Sequence, residues 1–212
     1  ARYVHQNSPR RNKPFVAVNL SSIQESLLES ALFGHKKGAF TGAEYDRQGF
    51  FRKAEGGILF LDEIGEINKG LQVKLLRFLD NKCIQVCGDD QDTVLDVQII
   101  AATNGDLPKL VDAGRFRQDL YYRLYQFQVN IPPLRERVQD IEELLSFYSN
   151  KNGITIQDHL NSDVLDILRS YPWPGNVREL KNTVETMSLR ARIQDKKAID
   201  CHCLPEDIKN SK

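Results

Sequence analysis

Four apolar residues, Ile58-Leu59-Phe60-Leu61, run directly into two carboxylates, Asp62 and Glu63. A short apolar run of this kind reads as a buried strand, and α/β folds place their ligand crevice at the carboxyl ends of strands. Adjacent strand residues point to opposite faces, so the two acids can take separate jobs. Other polar groups stand at comparable points. Asn19 ends the run Phe15-Val16-Ala17-Val18, and Thr103-Asn104 end the run Val97 to Ala102. Fixed positive charge follows in Arg117, Arg123 and Arg178, and guanidinium offers several donors suited to phosphate. Triphosphate hydrolysis needs a phosphate cradle, a metal, a polarised water and positive charge on the transition state; strand-end acids, amides and arginines could serve all of these but the cradle. The plainer readings are a charged pair that ends a strand, a turn-capping Asn, a polar strand end, and arginines on helix surfaces.

A second feature is Gly38-Ala39-Phe40-Thr41-Gly42-Ala43. Glycines on both sides of Phe40 and Thr41 allow such a loop to project and change shape. An apolar ring on it reads as a contact made with something else. Taken by itself, the string also fits a turn beside a core Phe.

These groups need a scaffold. Apolar runs predict parallel strands at Phe15–Val18, Ile58–Leu61, Val97–Ala102 and Phe127–Ile131. Helical spacing lies between them. Ser22 and Glu25 have capping-box spacing ahead of Ile23, Leu27 and Leu28. Leu71, Leu75, Phe78 and Leu79 mark another helix face. Strands alternating with helices predict an α/β sheet covered by helices. Beyond Pro132-Pro133 the pattern turns helical, with faces at Ile141/Leu144/Leu145, Val164/Leu165/Leu168 and Val177/Leu180/Val184/Met187/Ala191. Trp173-Pro174-Gly175-Asn176 reads as a turn, with Asn176 as the N-cap of the last helix. The expected division is 1–131 and 132–212.

At 212 residues the chain can bury a full core. Its 29 basic and 29 acidic residues cancel, so no overall basic excess marks a nucleic-acid binder. No apolar run is long enough for a membrane span, and Ala1–His5 lacks the apolar core of a signal peptide. A cytoplasmic protein is expected, with its cysteines held as thiols. Cys201-His202-Cys203 puts its ligands too close together for the usual zinc spacings.

Gly56 to Glu63 has the form of a Walker B strand of a nucleoside triphosphatase. With the GAFTGA string about twenty residues ahead of it, the chain resembles the central AAA+ domain of bacterial enhancer-binding proteins. These are the NtrC-like activators of sigma-54 RNA polymerase, and the resemblance runs from Ala1 to Ile208. It implies an AAA+ three-layer α/β sandwich with a C-terminal helical lid, an ATPase activity, and ATP and Mg2+ as cofactors. It further implies that Asp62 holds magnesium and that Glu63 orients and deprotonates water. Asn19 would pair with Glu63 until the ring engages, and Thr103-Asn104 would sense the γ-phosphate. Arg117 and Arg123 would be fingers reaching the next protomer's nucleotide, and Arg178 a lid arginine that reads the γ-phosphate. Residues 38–43 would touch sigma-54 in the polymerase holoenzyme, driven through Asn19 and the helix after it. The implied assembly is a hexameric or heptameric ring.

The chain departs from that pattern in places. No Gly-x-x-x-x-Gly-Lys-Ser/Thr stretch occurs in it, and Ala1–His5 matches the helix that normally follows this loop. The sheet is therefore expected to lack its first strand, and the chain alone to be a poor ATPase. We expect a fragment of a longer protein. The alternative is a short, non-hydrolysing binding module that contacts sigma-54 or related rings. A different AAA+ remodeller is disfavoured by the GAFTGA string. Enhancer DNA contact would need a helix-turn-helix that these residues do not contain. Asn68-Lys69-Gly70 stands where the family more often has a proline, and no function is assigned to it.

Overall fold

The computed structural model describes residues 1–151, 162–194 and 201–209. The chain packs as two compact units, Ala1–Gln128 and Val129–Lys212. The first unit runs α1 (Arg2–Gln6), β1 (Phe15–Asn19), α2 (Glu25–Phe33), β2 (Gly34–His35), β3 (Arg47–Gln48) and α3 (Phe50–Lys53). It continues through β4 (Ile58–Asp62), α4 (Lys69–Asn81), β5 (Cys83–Gln85), β6 (Asp92–Val94), β7 (Gln98–Ala101), α5 (Leu107–Asp112) and α6 (Gln118–Leu124).

A three-stranded parallel sheet in the order β1-β4-β7 is the frame of this unit. Its register sets Phe15 opposite Ile58 and Asn19 opposite Asp62, and Leu61 opposite Ala101. Polar strand ends are thereby lined up along one edge of the sheet. The approach into β4 needs glycine, because a Cβ at Gly57 would lie 2.0 Å from the Pro14 carbonyl oxygen.

Below the sheet ends, Leu59, Leu61, Leu71, Phe78 and Leu120 are buried in one cluster. Phe51 is fully buried between Phe33 and Phe78, with ring centroids 5.0 and 4.6 Å away. Each such side chain contributes about 1.5–3 kcal/mol on leaving water.

The predicted strand over Phe127–Ile131 does not form. Phe127, Val129 and Ile131 are largely exposed, and among the described residues no strand pairs with this segment. Alternating apolarity is not sufficient for a strand, since an extended segment without a ladder partner leaves its backbone groups to water.

The start of α2 also differs from expectation. Ser22 and Glu25 form no capping box, and α2 begins at Glu25 without a side-chain cap. The intervening Leu20–Ser22 form a 3₁₀ turn capped by Asn19. Ser22 Oγ donates to the Asn19 carbonyl at 2.7 Å and so turns back toward β1 instead of forward onto the helix.

The second unit contains α7 (Asp140–Lys151), α8 (Ser162–Ser170), α9 (Asn176–Ile193) and α10 (Glu206–Lys209). Ile141, Leu145, Val164, Leu168, Leu180, Val184 and Met187 form its core around fully buried Trp173. The indole nitrogen donates to the Leu168 carbonyl at 2.8 Å, so burial leaves it satisfied.

The expected Asn176 cap is not made. Gly175 is the N-cap residue, and Asn176 itself adopts φ 52°. Its carboxamide oxygen accepts from Leu134 N at 2.8 Å, which ties the helix start to the segment after Pro133. Glu179 meets the helix end instead, accepting from Gly175 N at 2.8 Å.

No helix among the described residues is long and apolar enough to cross a membrane.

Candidate functional site

The β1–β4 register makes Asn19 and Asp62 neighbours at the carboxyl end of the sheet. The next residue, Glu63, takes φ 59° and ψ 48°. A left-handed backbone costs a non-glycine residue about 1–2 kcal/mol, so the surrounding structure must hold it there. It does so from both sides. Glu63 N donates to Asp62 Oδ1 at 3.1 Å, and Ile64 N donates to the Ala102 carbonyl at 2.9 Å. That second bond continues the β4–β7 ladder past the strand and brings Glu63 beside Thr103 and Asn104. Glu63 Oε2 accepts from Asn104 N at 3.4 Å. Thr103 Oγ1 takes Gly105 N at 3.0 Å and shapes the same loop.

Among the described residues no lysine or arginine pairs with Asp62 or Glu63. Two half-buried carboxylates without an ion-pair partner are a donor set that suits a hard cation.

Asn19 lies in the same row but is otherwise engaged. Its Oδ1 accepts from Ser21 N at 3.0 Å and from Ser21 Oγ at 2.7 Å. No hydrogen bond joins it to Glu63 among the described residues, so the expected pairing is not formed here.

Arg117 and Arg123 are exposed, and both are fastened to α4. Arg117 N donates to Gln72 Oε1 at 2.8 Å. Its guanidinium grips Asp119 at 3.0 and 2.6 Å. That hydrogen-bonded pairing raises Arg117 and holds the Asp119 carboxyl below its usual range. Arg123 donates to the Leu79 carbonyl at 3.2 Å and pairs with Asp80 at 3.2 Å. Among the described residues neither side chain is bound to Asp62 or Glu63 of its own copy.

In the second unit Arg178 is exposed in the first turn of α9. It lines a shallow cleft with Glu179, Asn182, Thr186, Pro205 and Asp207.

The loop 38–43 closes on itself. Gly38 N donates to the Ala43 carbonyl at 2.8 Å, and Ala43 N to the Phe40 carbonyl at 3.0 Å. Gly38 and Gly42 take φ 82° and 97°, which only glycine adopts without strain. Phe40 keeps 40% of its surface exposed. Its ring meets buried His35 edge-on at 5.0 Å, and His35 Nδ1 lies 2.6 Å from Ser30 Oγ.

The neck of the loop is the β2–β3 pair, Gly34 with Gln48 and His35 with Arg47. Cys87 crosses behind it, its N donating to the Gly34 carbonyl and its carbonyl accepting from Lys36 N. Burial, then the Glu29 hydrogen bond, pushes the Cys87 thiol up to about 11.

Three connections were not anticipated from sequence. Asn68 caps α4 through Leu71 N at 3.0 Å and donates to Glu25 in the first turn of α2 at 3.0 Å. The region behind the carboxylates is thus joined to the helix that leads into β2 and the loop. Buried Gln72 joins the same region to the arginine-bearing segment. Ser21 occupies the Asn19 oxygen. Of these, Gln72 carried a readable signal: an amide beside Leu71 on the apolar face of a helix, where burial demands partners.

Comparison with known proteins agrees with this architecture. Residues 1–130 match the Sigma-54 interaction domain family, and residues 135–212 match the AAA+ ATPase lid domain. The regulatory protein LuxO of Vibrio cholerae is 51% identical over 200 residues, covering 92% of this chain and 38% of LuxO. The transcriptional regulatory protein ZraR of Escherichia coli is 48% identical over 189 residues, covering 87% of this chain and 43% of ZraR. The chain thus spans about two fifths of the length of these relatives.

The crystal structure of NtrX from Brucella abortus in complex with ADP superposes with a TM-score of 0.89 at 32% identity, covering 99% of this chain and 47% of NtrX. A second NtrX structure is a complex with ATP. The α/β sheet with its helical lid is accordingly the AAA+ fold, and the chain belongs to the Sigma-54 interaction domain family.

Proposed function

We propose that this chain is the nucleotide-driven module of a sigma-54-dependent transcriptional activator, one that remodels the closed complex of sigma-54 RNA polymerase. The observation that carries this reading is Glu63, an acid kept in a strained left-handed conformation at the end of β4 with Asn104 beside it. Strain of that kind persists where function requires the geometry. Residues 1–131 form the nucleotide domain in this reading and 132–212 the lid.

Asp62 would hold Mg2+, which on a bound triphosphate neutralises charge on the phosphate oxygens. Glu63 orients a water and takes its proton. Thr103 and Asn104 report the γ-phosphate, and Asn104 N already contacts Glu63. Asn19 would leave its Ser21 contacts to pair with Glu63, holding the acid until the ring engages. Arg117 and Arg123 face a nucleotide held by a neighbouring copy, and Arg178 reads it from the lid. Arginines that act across copies imply a closed ring, six- or seven-membered, with heterologous contacts.

We assign the phosphate cradle to no residue of this chain, since none of its stretches has the Walker A form, and we expect weak ATP turnover from these 212 residues alone. The second reading is a non-hydrolysing module that binds sigma-54 or joins the rings of a relative. The working location is the cytoplasm. Enhancer DNA is contacted by a helix-turn-helix outside these residues.

The test is a chimera in which this chain replaces the matching segment of the 48% identical Escherichia coli relative. Phe40→Ala in the chimera is expected to leave ATP hydrolysis in place and to abolish sigma-54-dependent transcription. Transcription that survives the change would remove the loop from the contact. A chimera that activates no transcription and hydrolyses no ATP, yet still binds sigma-54, would favour the second reading.

A further inference from the structure

Gln72 has no exposed surface and no role in any chemistry described above. A buried amide needs all of its hydrogen-bonding groups met, and an unmet one costs about 1–3 kcal/mol. Here the partners lie in two segments far apart in the chain. Gln72 Nε2 donates to the Ile67 carbonyl at 2.9 Å and to the Arg115 carbonyl at 3.0 Å. Its Oε1 accepts from Arg117 N at 2.8 Å. Ile67 lies four residues beyond Glu63, and Arg117 carries the exposed guanidinium.

We propose that Gln72 is a positioning residue, one that fixes Arg117 for phosphate on a neighbouring copy and couples it to the loop that follows Asp62 and Glu63. The proposal rests on the nucleotide reading given above. Its structural half, the clamp itself, does not.

The geometry explains why an amide stands at this point. An apolar side chain would fill the space and leave two carbonyls and one N–H unmet. A carboxylate would still receive Arg117 N–H but would face the Ile67 and Arg115 carbonyls without a donor. Only the amide meets donor and acceptor demands together. The guanidinium of Arg117 adds nothing to this clamp, because it is engaged with Asp119. The backbone of Arg117 is what Gln72 holds, and it decides where the guanidinium begins.

Coupling follows from sharing. A shift of the 63–67 loop moves the Ile67 carbonyl and must either break its bond to Gln72 or carry the side chain with it. Asn68, next in sequence, joins the same loop to Glu25 at the start of α2. The first turn of α4 therefore stands between the carboxylates, the helix leading to the 38–43 loop, and the arginine.

The clamp is tested in this chain without nucleotide, by amide hydrogen exchange at Arg117 and in β4. Gln72→Met keeps the volume and removes every polar contact. It is expected to speed exchange at Arg117 roughly tenfold, with the β4 amides changed less than twofold. Gln72→Glu keeps an acceptor and is expected to restore protection at Arg117. Equal acceleration at Arg117 and β4, or unchanged exchange at Arg117, would reduce Gln72 to a core residue and overturn the proposal.

The catalytic half is tested in the Escherichia coli chimera. If Arg117→Ala abolishes hydrolysis, Gln72→Met should lower kcat about a hundredfold with KM unchanged, since an ångström of misplacement costs that much. An unchanged kcat would overturn the positioning role. If Arg117→Ala itself leaves hydrolysis intact, the finger reading fails, and the exchange result alone decides whether the clamp exists.

Discussion

Glu63 should be more stable as glycine than as alanine, the reverse of the ordinary order. Its φ of 59° and ψ of 48° are left-handed, and such a conformation costs an L-residue with a Cβ about 1–2 kcal/mol. Glycine is free of that cost but loses about 0.5–1 kcal/mol more in conformational entropy than alanine does. Both Glu63→Gly and Glu63→Ala delete the carboxylate and its 3.4 Å contact to Asn104 N, so their difference isolates the backbone. The balance favours Glu63→Gly by about 0.5–1 kcal/mol, where an unstrained site would favour alanine by as much. The only tryptophan, Trp173, reports on the second unit. Exchange of the β4 amides is therefore the better probe. They should exchange roughly twofold to fivefold more slowly in Glu63→Gly than in Glu63→Ala. Alanine equal to or more stable than glycine would refute the strain, and with it the view that the acid is held against a backbone penalty.

Three further results follow from the loop neck. With its thiol pushed from 9.0 to about 11 by burial and then by Glu29, Cys87 should be alkylated roughly a hundredfold more slowly at pH 8 than an unperturbed thiol. Glu29→Gln should accelerate it, and a Cys87 that reacts at the ordinary rate would contradict the contact. For Glu29 itself, burial raises the carboxyl, but hydrogen bonds from Lys74 and Cys87 outweigh it and leave it below 4.5. The stability it contributes is present above pH 4.5 and lost as pH falls through the lower folded value, so Lys74→Met should flatten the acid limb of the stability profile; an unchanged limb would assign the slope to other groups. At Gly49 a Cβ would lie 2.3 Å from the Leu32 carbonyl oxygen and 2.4 Å from Gly34 N. Gly49→Ala should cost about 1–3 kcal/mol in urea unfolding, and an unshifted midpoint would show that the neck can yield.

The strands that position the site were readable because short apolar runs ending in Asn19, Asp62 and Thr103-Asn104 leave few alternatives. Phe127–Ile131 had equally good alternation and forms no strand, since pairing depends on a neighbour that no local pattern encodes. Ser22 and Asn176 failed for a different reason. Each has the side chain a cap requires, but a competing partner took it, the Asn19 carbonyl for Ser22 and the Leu134 amide for Asn176. Gln72 was passed over because attention to the Leu71, Leu75 and Phe78 stripe treats a neighbouring amide as surface. The left-handed turn at Glu63 had no signal at all, as glutamate is not a residue that favours it.

The central claim is that the carboxylates of one copy and the arginines of the next make one site. Mixing tests it directly. In the Escherichia coli chimera, Glu63→Gln and Arg117→Ala should each be inactive in ATP hydrolysis. Mixed in equal amounts, they place an intact Glu63 beside a neighbour's intact Arg117 at about a quarter of the head-to-tail contacts of a randomly assembled ring. Hydrolysis should recover to roughly that fraction of the unmodified chimera. A mixture no more active than either variant alone would contradict a site shared between copies.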